Sequence, residues 1–321
     1  MKRITTFTGF FLLLSSVIFS QTYSNRAEGH QSQPYRIPDN VKRIVFLGNS
    51  ITYAGNYIVD IETYLKMRYP EKQYEIINVG LPSETVSDLS ETGHAGGRFP
   101  RPDLHERLER VMTKIKPDLV IATYGMNDGI YMPFDEERFQ KYKDGIRWLD
   151  DEVAKYGAGI IYVTPPVYDE RKGEAYANVL DLYSDWLLSC RYSLGWNVID
   201  THWPMKKYLE DRRLIDSSFR YAEDGIHPDK TGHFIMAKQI LLYLGEPEIA
   251  EADDMKSALS KYNNGDEVYT LIQERQKMMK DAWLTYTGHL RPGMNTGLPI
   301  DEALQKYQEM EKLINLQISG E

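Results

Sequence analysis

The chain has 321 residues, of which 42% are hydrophobic and 26% are charged, a mixture that excludes collagen-like, low-complexity and wholly disordered chains. Asp and Glu together number 47 against 38 Lys and Arg, which gives a formal net charge of −9. Because nucleic-acid binding depends on neutralising phosphates with cations, an acidic chain without a dense basic run predicts no nucleic-acid partner.

The first 20 residues have the pattern of a secretory signal. Lys2 and Arg3 precede an apolar stretch from Gly9 to Phe19, and Ser20 is a small residue at its end. The apolar stretch is shorter than the roughly 20 residues that a membrane span needs. We therefore expect cleavage of residues 1–20, export to the periplasm or the extracellular space, and no membrane partner afterwards. The alternative is a retained N-terminal anchor.

Strands and helices alternate after a polar stretch that ends near residue 40. The predicted strands are 43–47, 74–79, 118–124, 159–164 and 196–200. The predicted helices are 56–69, 104–116, 135–156, 174–192 and 231–244, in which apolar residues recur at helical spacing. This alternation indicates right-handed βαβ units and a mostly parallel sheet that is covered on both faces.

The pattern divides the chain into a linker, an α/β domain and a tail. We assign residues 21–39 to the linker and residues 40–246 to the domain. Residues 247–321 are charge-rich and helical without strands, and a loop at 288–299 divides them. The sequence therefore predicts a helical C-terminal extension.

Unusual polar residues stand at the ends of three predicted strands and just before the last predicted helix of the domain. They lie in the segments Gly48-Asn49-Ser50-Ile51-Thr52, Asn78-Val79-Gly80, Gly125-Met126-Asn127-Asp128 and Asp224-Gly225-Ile226-His227-Pro228. In open parallel sheets, ligands bind beyond the carboxyl ends of the strands, where the strand order reverses. We therefore expect these four loops to meet at one edge of the sheet.

The residue types in these loops suit nucleophilic acyl transfer. A serine hydroxyl needs a base to take its proton, and His227 can activate Ser50 in this way. Asp224 is three residues from His227, close enough to fix the histidine tautomer. The backbone N–H groups of Ser50 and Gly80 and the side-chain amide of Asn127 are candidate oxyanion donors.

The four segments, in this order, resemble the blocks of the SGNH (GDSL-type) hydrolases. The resemblance covers residues 40–246 and implies a flavodoxin-like three-layer α/β/α sandwich with a five-stranded parallel sheet. It implies Ser50 as nucleophile and oxyanion donor, Gly80 and Asn127 as further donors, His227 as base and Asp224 as its orienting group. Asn49 departs from the Asp of the founding motif, and Leu81-Pro82-Ser83 replaces the commoner small residues, which puts the shape of the acyl pocket in doubt.

Four further residues are candidates for substrate binding. His94 lies in a glycine-rich loop that should border the cleft, and Arg98 and Arg101 are suited to bidentate contacts with an acidic sugar. The alternatives are a solvated histidine and arginines that pair with the protein's own acids. Arg291 lies in the tail loop, which either forms one wall of the cleft or covers a face of the domain.

We predict no metal ion and no cofactor. His105, His202 and His233 do not form a convincing set of metal ligands, and the spacing of His227 and His233 is poor for a shared ion.

These observations predict an exported serine esterase that removes acetyl groups from a polysaccharide or oligosaccharide, with an acylated carbohydrate or another small ester as its substrate. The sequence leaves two alternatives open. One is a lipolytic esterase or thioesterase of the same family, and the other is a carbohydrate-binding protein with an inactive triad. The oligomeric state is not predicted.

Overall fold

The computed structural model describes residues 34–320, and its centre is a five-stranded sheet. The strands are β1 (Arg43–Gly48), β2 (Glu75–Asn78), β3 (Leu119–Thr123), β4 (Gly159–Val163) and β5 (Val198–Ile199). All neighbours pair in parallel in the order β2-β1-β3-β4-β5, which is the flavodoxin-like order. The predicted fold class and five-stranded parallel sheet are confirmed. The predicted signal segment 1–20 and linker residues 21–33 lie outside the described residues.

The helices follow the strands in the expected alternation. The α-helices of five or more residues are α1 (Ser50–Ala54), α2 (Asn56–Arg68), α3 (Leu108–Ile115), α4 (Glu136–Lys155), α5 (Glu174–Ser193), α6 (His202–Ile215), α7 (Lys230–Tyr243), α8 (Met255–Leu259), α9 (Gly265–Thr287) and α10 (Ile300–Ser319), and a four-residue helix spans His94–Gly97. Helices α2 and α7 pack on each other, and the rings of Tyr142 on α4 and Tyr183 on α5 stack with centroids 4.4 Å apart. Every residue of the central strand β3 is buried, as expected for a sheet covered on both faces.

Two parts of the domain differ from the sequence prediction. The predicted helix 104–116 is a 3₁₀ turn (Leu104–Glu106) followed by α3, because Arg107 between them has a non-helical backbone (φ −125°, ψ −14°) and a fully buried side chain. The helix α6 was not predicted, and β5 has two residues where five were expected.

The C-terminal helices cover the free edge of strand β2. The Gln276 side-chain amide on α9 donates to the Ile76 carbonyl of β2 at 2.8 Å and to Glu62 Oε2 of α2 at 2.6 Å. Beside it, Arg275 Nη2 donates to Glu62 Oε1 at 2.8 Å, and both side chains are buried. From Arg36 onward the described chain forms one compact unit. The domain boundary at residue 246 stays a prediction.

A cavity of about 400 Å³ lies between α2, α7 and the extension, and it contains a buried acid. Asp60 on α2 is buried there, and burial raises the pKa of its carboxyl to about 7, against a smaller opposite effect of its hydrogen bond with Tyr269 on α9. Between about pH 4 and pH 7 the folded state therefore keeps a proton that the unfolded state has lost. The free energy of unfolding contributed by Asp60 consequently falls as the pH rises through this window.

We expect Asp60→Asn to remove this penalty, because the amide stays neutral. The stability gain over the wild type should grow from near zero at about pH 4 to about 4 kcal/mol above pH 7. Urea unfolding at several pH values measures it. Asp253→Asn, at an exposed position lining the same cavity, is the control. A gain for Asp60→Asn that does not change with pH would contradict the argument.

Candidate active site

The Ser50 hydroxyl lies at the carboxyl end of β1, at the start of a short helix. Strand β1 ends at Gly48, and the Asn49 side chain caps α1 by accepting the Ile51 N–H at 3.1 Å. Ser50 is the first residue of α1, and the first N–H groups of a helix have no intrahelical acceptor. The local sequence thus places a hydroxyl and an N–H group of the same residue at the edge of the sheet.

His227 and Asp224 stand in the turn that precedes α7. Asp224 Oδ1 accepts the backbone N–H groups of Ile226 and His227, each at 2.9 Å, so the turn itself fixes the carboxylate. Asp224 Oδ2 lies 2.6 Å from His227 Nδ1, and His227 Nε2 lies 2.8 Å from Ser50 Oγ. Because an ionised carboxylate only accepts, Nδ1 carries the hydrogen, and Nε2 is left to accept from the serine hydroxyl. The structure brings together the three residues predicted as a triad.

The charge of Asp224 is stabilised by these contacts. Partial burial acts to raise the pKa of the Asp224 carboxyl, but the hydrogen bonds from the backbone and imidazole of His227 outweigh it and lower the pKa below its usual value. Hydrogen bonds to the charged form favour ionisation. The carboxylate therefore remains ionised over the pH range in which a histidine base works.

Gly80, predicted as an oxyanion donor, lies directly against α1. A Cβ at this position would be 2.4 Å from the Tyr53 nitrogen, so only glycine fits without displacement. Its N–H donates to Asn78 Oδ1 at 2.9 Å, and Asn78 Nδ2 donates to the Thr52 carbonyl at 2.7 Å. Asn78 thus ties the loop after β2 to α1. A substrate oxygen bound at Gly80 N–H would share that hydrogen with Asn78.

Asn127, the third predicted donor residue, has a fixed orientation. Its Nδ2 donates to the Glu84 carbonyl at 3.0 Å, and its Oδ1 accepts from the Tyr131 hydroxyl at 3.0 Å. The amide has two N–H groups, so one of them remains for a further acceptor. Tyr131 and the preceding Ile130 both have positive φ (56° and 47°), a conformation that costs energy for non-glycine residues. Sequence reasoning missed Tyr131, whose position depends on this backbone conformation.

Glu84, whose carbonyl accepts from Asn127, belongs to a buried cluster of charged side chains. Arg107 donates to both carboxylate oxygens of Glu84, at 2.6 and 2.7 Å, and to the Val79 carbonyl at 2.8 Å. The Tyr124 hydroxyl donates to Glu84 Oε2 at 2.6 Å. Both charged side chains are completely buried. Sequence reasoning also missed this pair, although Arg107 lies on the apolar side of the predicted helix 104–116, a position at which a charge signals a buried partner.

We expect Arg107→Met to lower the free energy of unfolding by about 3–5 kcal/mol, because Glu84 would be left buried without its counter-charge. Urea unfolding measures the loss. The control is Arg220→Met, which removes an exposed arginine paired with Glu223 and should cost about 0–1 kcal/mol. Equal losses in the two variants would show that the buried pair is not the cause.

The four predicted substrate-binding residues lie in different environments. Arg101 donates to both oxygens of Glu91, at 2.6 and 2.7 Å, which is the pairing with the protein's own acids considered above. His94 Nδ1 lies 3.1 Å from Glu91 Oε1. Arg98 is exposed and donates to the Ala95 carbonyl, and Arg291 donates to the Pro82 carbonyl at 2.8 Å. Their roles in substrate binding stay predictions.

The histidines considered as metal ligands are dispersed. His105 stacks on Trp148, His202 lies 2.8 Å from Asp181, and the His233 ring stacks on Tyr57. Across residues 34–320, no group of three or more His, Cys, Asp or Glu side chains is arranged to hold a metal ion. No helix in this part of the chain is both long and apolar enough to cross a membrane.

Comparison with known proteins places this arrangement in a family. The model of the GDSL-like lipase/acylhydrolase family matches residues 46–235, which is more than half of the chain and includes all four polar loops. The chain belongs to the GDSL-like lipase/acylhydrolase family. The resemblance found in the sequence is confirmed.

Individual relatives of this GDSL-like chain are distant. An acetylxylan esterase of Geobacillus stearothermophilus is 24% identical over 225 residues, covering 64% of this chain and 94% of that protein. The crystal structure of Axe2, an acetylxylan esterase from Geobacillus stearothermophilus, is 23% identical with a TM-score of 0.51 and covers 64% of this chain and 94% of that chain.

A gut microbial diltiazem-metabolizing enzyme has a TM-score of 0.52 at 24% identity, over 66% of this chain. The matched part spans about half of that protein's length (49%). At these identities the structural likenesses establish the fold of the GDSL-like chain.

Proposed function

We propose that the protein is an exported serine esterase that removes acetyl groups from a polysaccharide or oligosaccharide. The observation that carries the proposal is the chain of two short contacts, 2.8 Å from Ser50 Oγ to His227 Nε2 and 2.6 Å from His227 Nδ1 to Asp224 Oδ2. A hydroxyl, an imidazole and a carboxylate joined in this way activate a serine for attack on a carbonyl.

The reaction would proceed in two halves through an acyl-enzyme. His227 Nε2 takes the proton as Ser50 Oγ bonds to the ester carbonyl carbon, and the carbonyl oxygen becomes an oxyanion. The Ser50 N–H and the remaining N–H of Asn127 would donate to it, and the Gly80 N–H, shared with Asn78 Oδ1, would be the third donor. The alcohol then leaves with the proton from His227. Water, deprotonated by His227, attacks the acyl carbon, and His227 returns that proton to Ser50 Oγ as the bond to the acyl group breaks and the acid leaves.

The surroundings of the triad favour a small acyl group on a polar alcohol. The side chains of Asp224 and His227 are half exposed. The nearby loops carry charged and aromatic residues such as Arg98, Phe99 and Arg291. The curated relative named as an acetylxylan esterase supports the same substrate class.

An acyl-length series tests the proposal. We expect kcat/KM for p-nitrophenyl esters to fall by about tenfold or more from acetate to octanoate, because a site shaped for acetyl has no room for added methylenes. Free acetate should be released from acetylated xylo-oligosaccharides. Rates that rise towards octanoate would favour the lipolytic alternative. Sugar affinity without acetate release would favour a non-catalytic carbohydrate-binding protein.

A further inference from the structure

The C-terminal extension places a cation beside the catalytic loops. Arg291, in the segment between α9 and α10, donates from Nε to the Pro82 carbonyl at 2.8 Å, two residues after Gly80. Its Nη1 donates to the Pro292 carbonyl and contacts Met294 Sδ, each at 3.1 Å. The guanidinium carbon lies 5.3 Å from the centre of the Phe99 ring. These contacts hold the guanidinium in one place.

This charge has no counter-charge within residues 34–320. Arg291 makes no ion pair there, and its Nη2 makes no hydrogen bond in the described part of the chain, whereas Arg101 and Arg107 each bind a carboxylate with two nitrogens. Partial burial lowers the pKa of Arg291, against a smaller opposite effect of Tyr53. A half-buried cation without a partner costs free energy, and an anionic ligand recovers it.

Two more cations lie close to Tyr53 and Phe99, the aromatic residues that interact with Arg291. Lys280 on α9 donates to the Tyr53 carbonyl at 3.1 Å, and its Nζ lies 3.7 Å from the centre of the Tyr53 ring. Arg98, next to Phe99, is exposed and donates to the Ala95 carbonyl at 2.8 Å. The charge of Asp281 acts to raise the pKa of both Tyr53 and Lys280. Arg291, Arg98 and Lys280 are here called the positive patch, on a chain of net charge −9.

The patch adjoins the reacting groups. Tyr53 lies in α1, three residues after Ser50, and Pro82 follows Gly80 in the loop after β2. A ligand bound at Arg291 Nη2 would therefore lie beside the loops that carry Ser50 and Gly80. Charge-assisted bonds from a fixed guanidinium give both orientation and affinity.

We infer that Arg291 binds a carboxylate of the substrate, so that the enzyme acts on acetylated oligosaccharides that contain uronic acid. The inference rests on the proposed function and specifies its substrate class. The Nη2 group donates to the carboxylate, and Arg98 and Lys280 add attraction over a longer range. The extension thereby determines substrate specificity for the hydrolase domain.

Matched substrates test this inference. Acetate release is measured from an acetylated galacturonic acid oligosaccharide and from its methyl ester, which has no charge. We expect the wild type to prefer the acid by about 10- to 100-fold in kcat/KM, mainly through KM. Arg291→Gln should bring the ratio close to one. Arg212→Gln, which removes an exposed arginine of α6 that lies 5.4 Å from the centre of the Phe219 ring, should leave the ratio unchanged.

Several outcomes would overturn the inference. A wild-type ratio near one, or a ratio that Arg291→Gln does not change, would remove Arg291 from substrate recognition. A stronger preference for an acetylated, sulfated oligosaccharide would reject the carboxylate. If Arg291→Gln does not fold, the salt dependence of the wild type tests the inference. Its kcat/KM ratio for the acid over the methyl ester must then fall steeply between about 50 and about 500 mM NaCl, and a constant ratio would overturn the inference.

Failure of the proposed function gives a different result. If the wild type hydrolyses neither p-nitrophenyl acetate nor any acetylated sugar, the esterase assignment fails. Calorimetric binding of the unacetylated galacturonic acid oligosaccharide to the wild type and to Arg291→Gln then still tests the carboxylate site. Equal affinity for the two proteins would overturn it.

Discussion

Replacing Ser50 with alanine is expected to lower kcat/KM for p-nitrophenyl acetate by about 10⁴-fold or more, since no covalent intermediate can form. The Ser50 hydroxyl is partly exposed and bonds to His227, so the fold does not depend on it. The free energy of unfolding should therefore change by about 1 kcal/mol or less. Steady-state kinetics and urea unfolding on the same preparation measure both quantities.

Ser189→Ala is the matched control for this variant. It removes the hydroxyl of a helical serine that bonds to the Trp186 carbonyl on α5. Activity should be retained. Equal activity in Ser50→Ala and the wild type would reject the nucleophile assignment, and with it the acyl-enzyme.

Asp224→Asn is expected to lower kcat/KM by about 10⁴-fold while the fold is kept. The asparagine oxygen can still accept the backbone N–H groups of Ile226 and His227. Its amide N–H₂ would then face His227 Nδ1 and favour the tautomer with the hydrogen on Nε2. That tautomer cannot accept the Ser50 proton.

The control for Asp224→Asn is Asp216→Asn. Asp216 also lies in an exposed turn and accepts from a backbone N–H and a side chain of one residue, Ser218, at 2.9 and 2.7 Å. Its replacement should leave kcat/KM within about twofold of the wild type. A loss below about tenfold for Asp224→Asn would mean that another group orients His227.

The sequence was most informative where the topology itself brings residues together. Asn78 ends β2 and Gly80 follows it, while Ser50 and Asn127 follow the neighbouring strands β1 and β3, so the parallel order places all four at one edge. His227 was paired correctly with Asp224 because a three-residue turn limits their separation. The pairing of Ser50 with His227, which are 177 residues apart, was expected because the four loops should meet at one edge, and the family resemblance implied the same pair.

The features that were missed depend on backbone conformation or on distant packing. The left-handed Ile130 and Tyr131 have no glycine or asparagine to indicate them. The Glu84–Arg107 pair joins a loop to the start of a helix, and nothing in either segment specifies the other partner. The contacts of Lys280 and Arg291 with the catalytic loops join residues about 200 positions apart, so hydrophobic periodicity does not indicate them.

The hydrogen bond from Gln276 to the Ile76 carbonyl has a consequence for self-association. An edge strand normally presents a row of N–H and C=O groups to which a second molecule can add a strand. Here a helix covers the β2 edge and its amide occupies one of the acceptors. The opposite edge strand, β5, has only two residues. Neither border of the sheet therefore offers a long template for intermolecular β-pairing, which limits aggregation through this route.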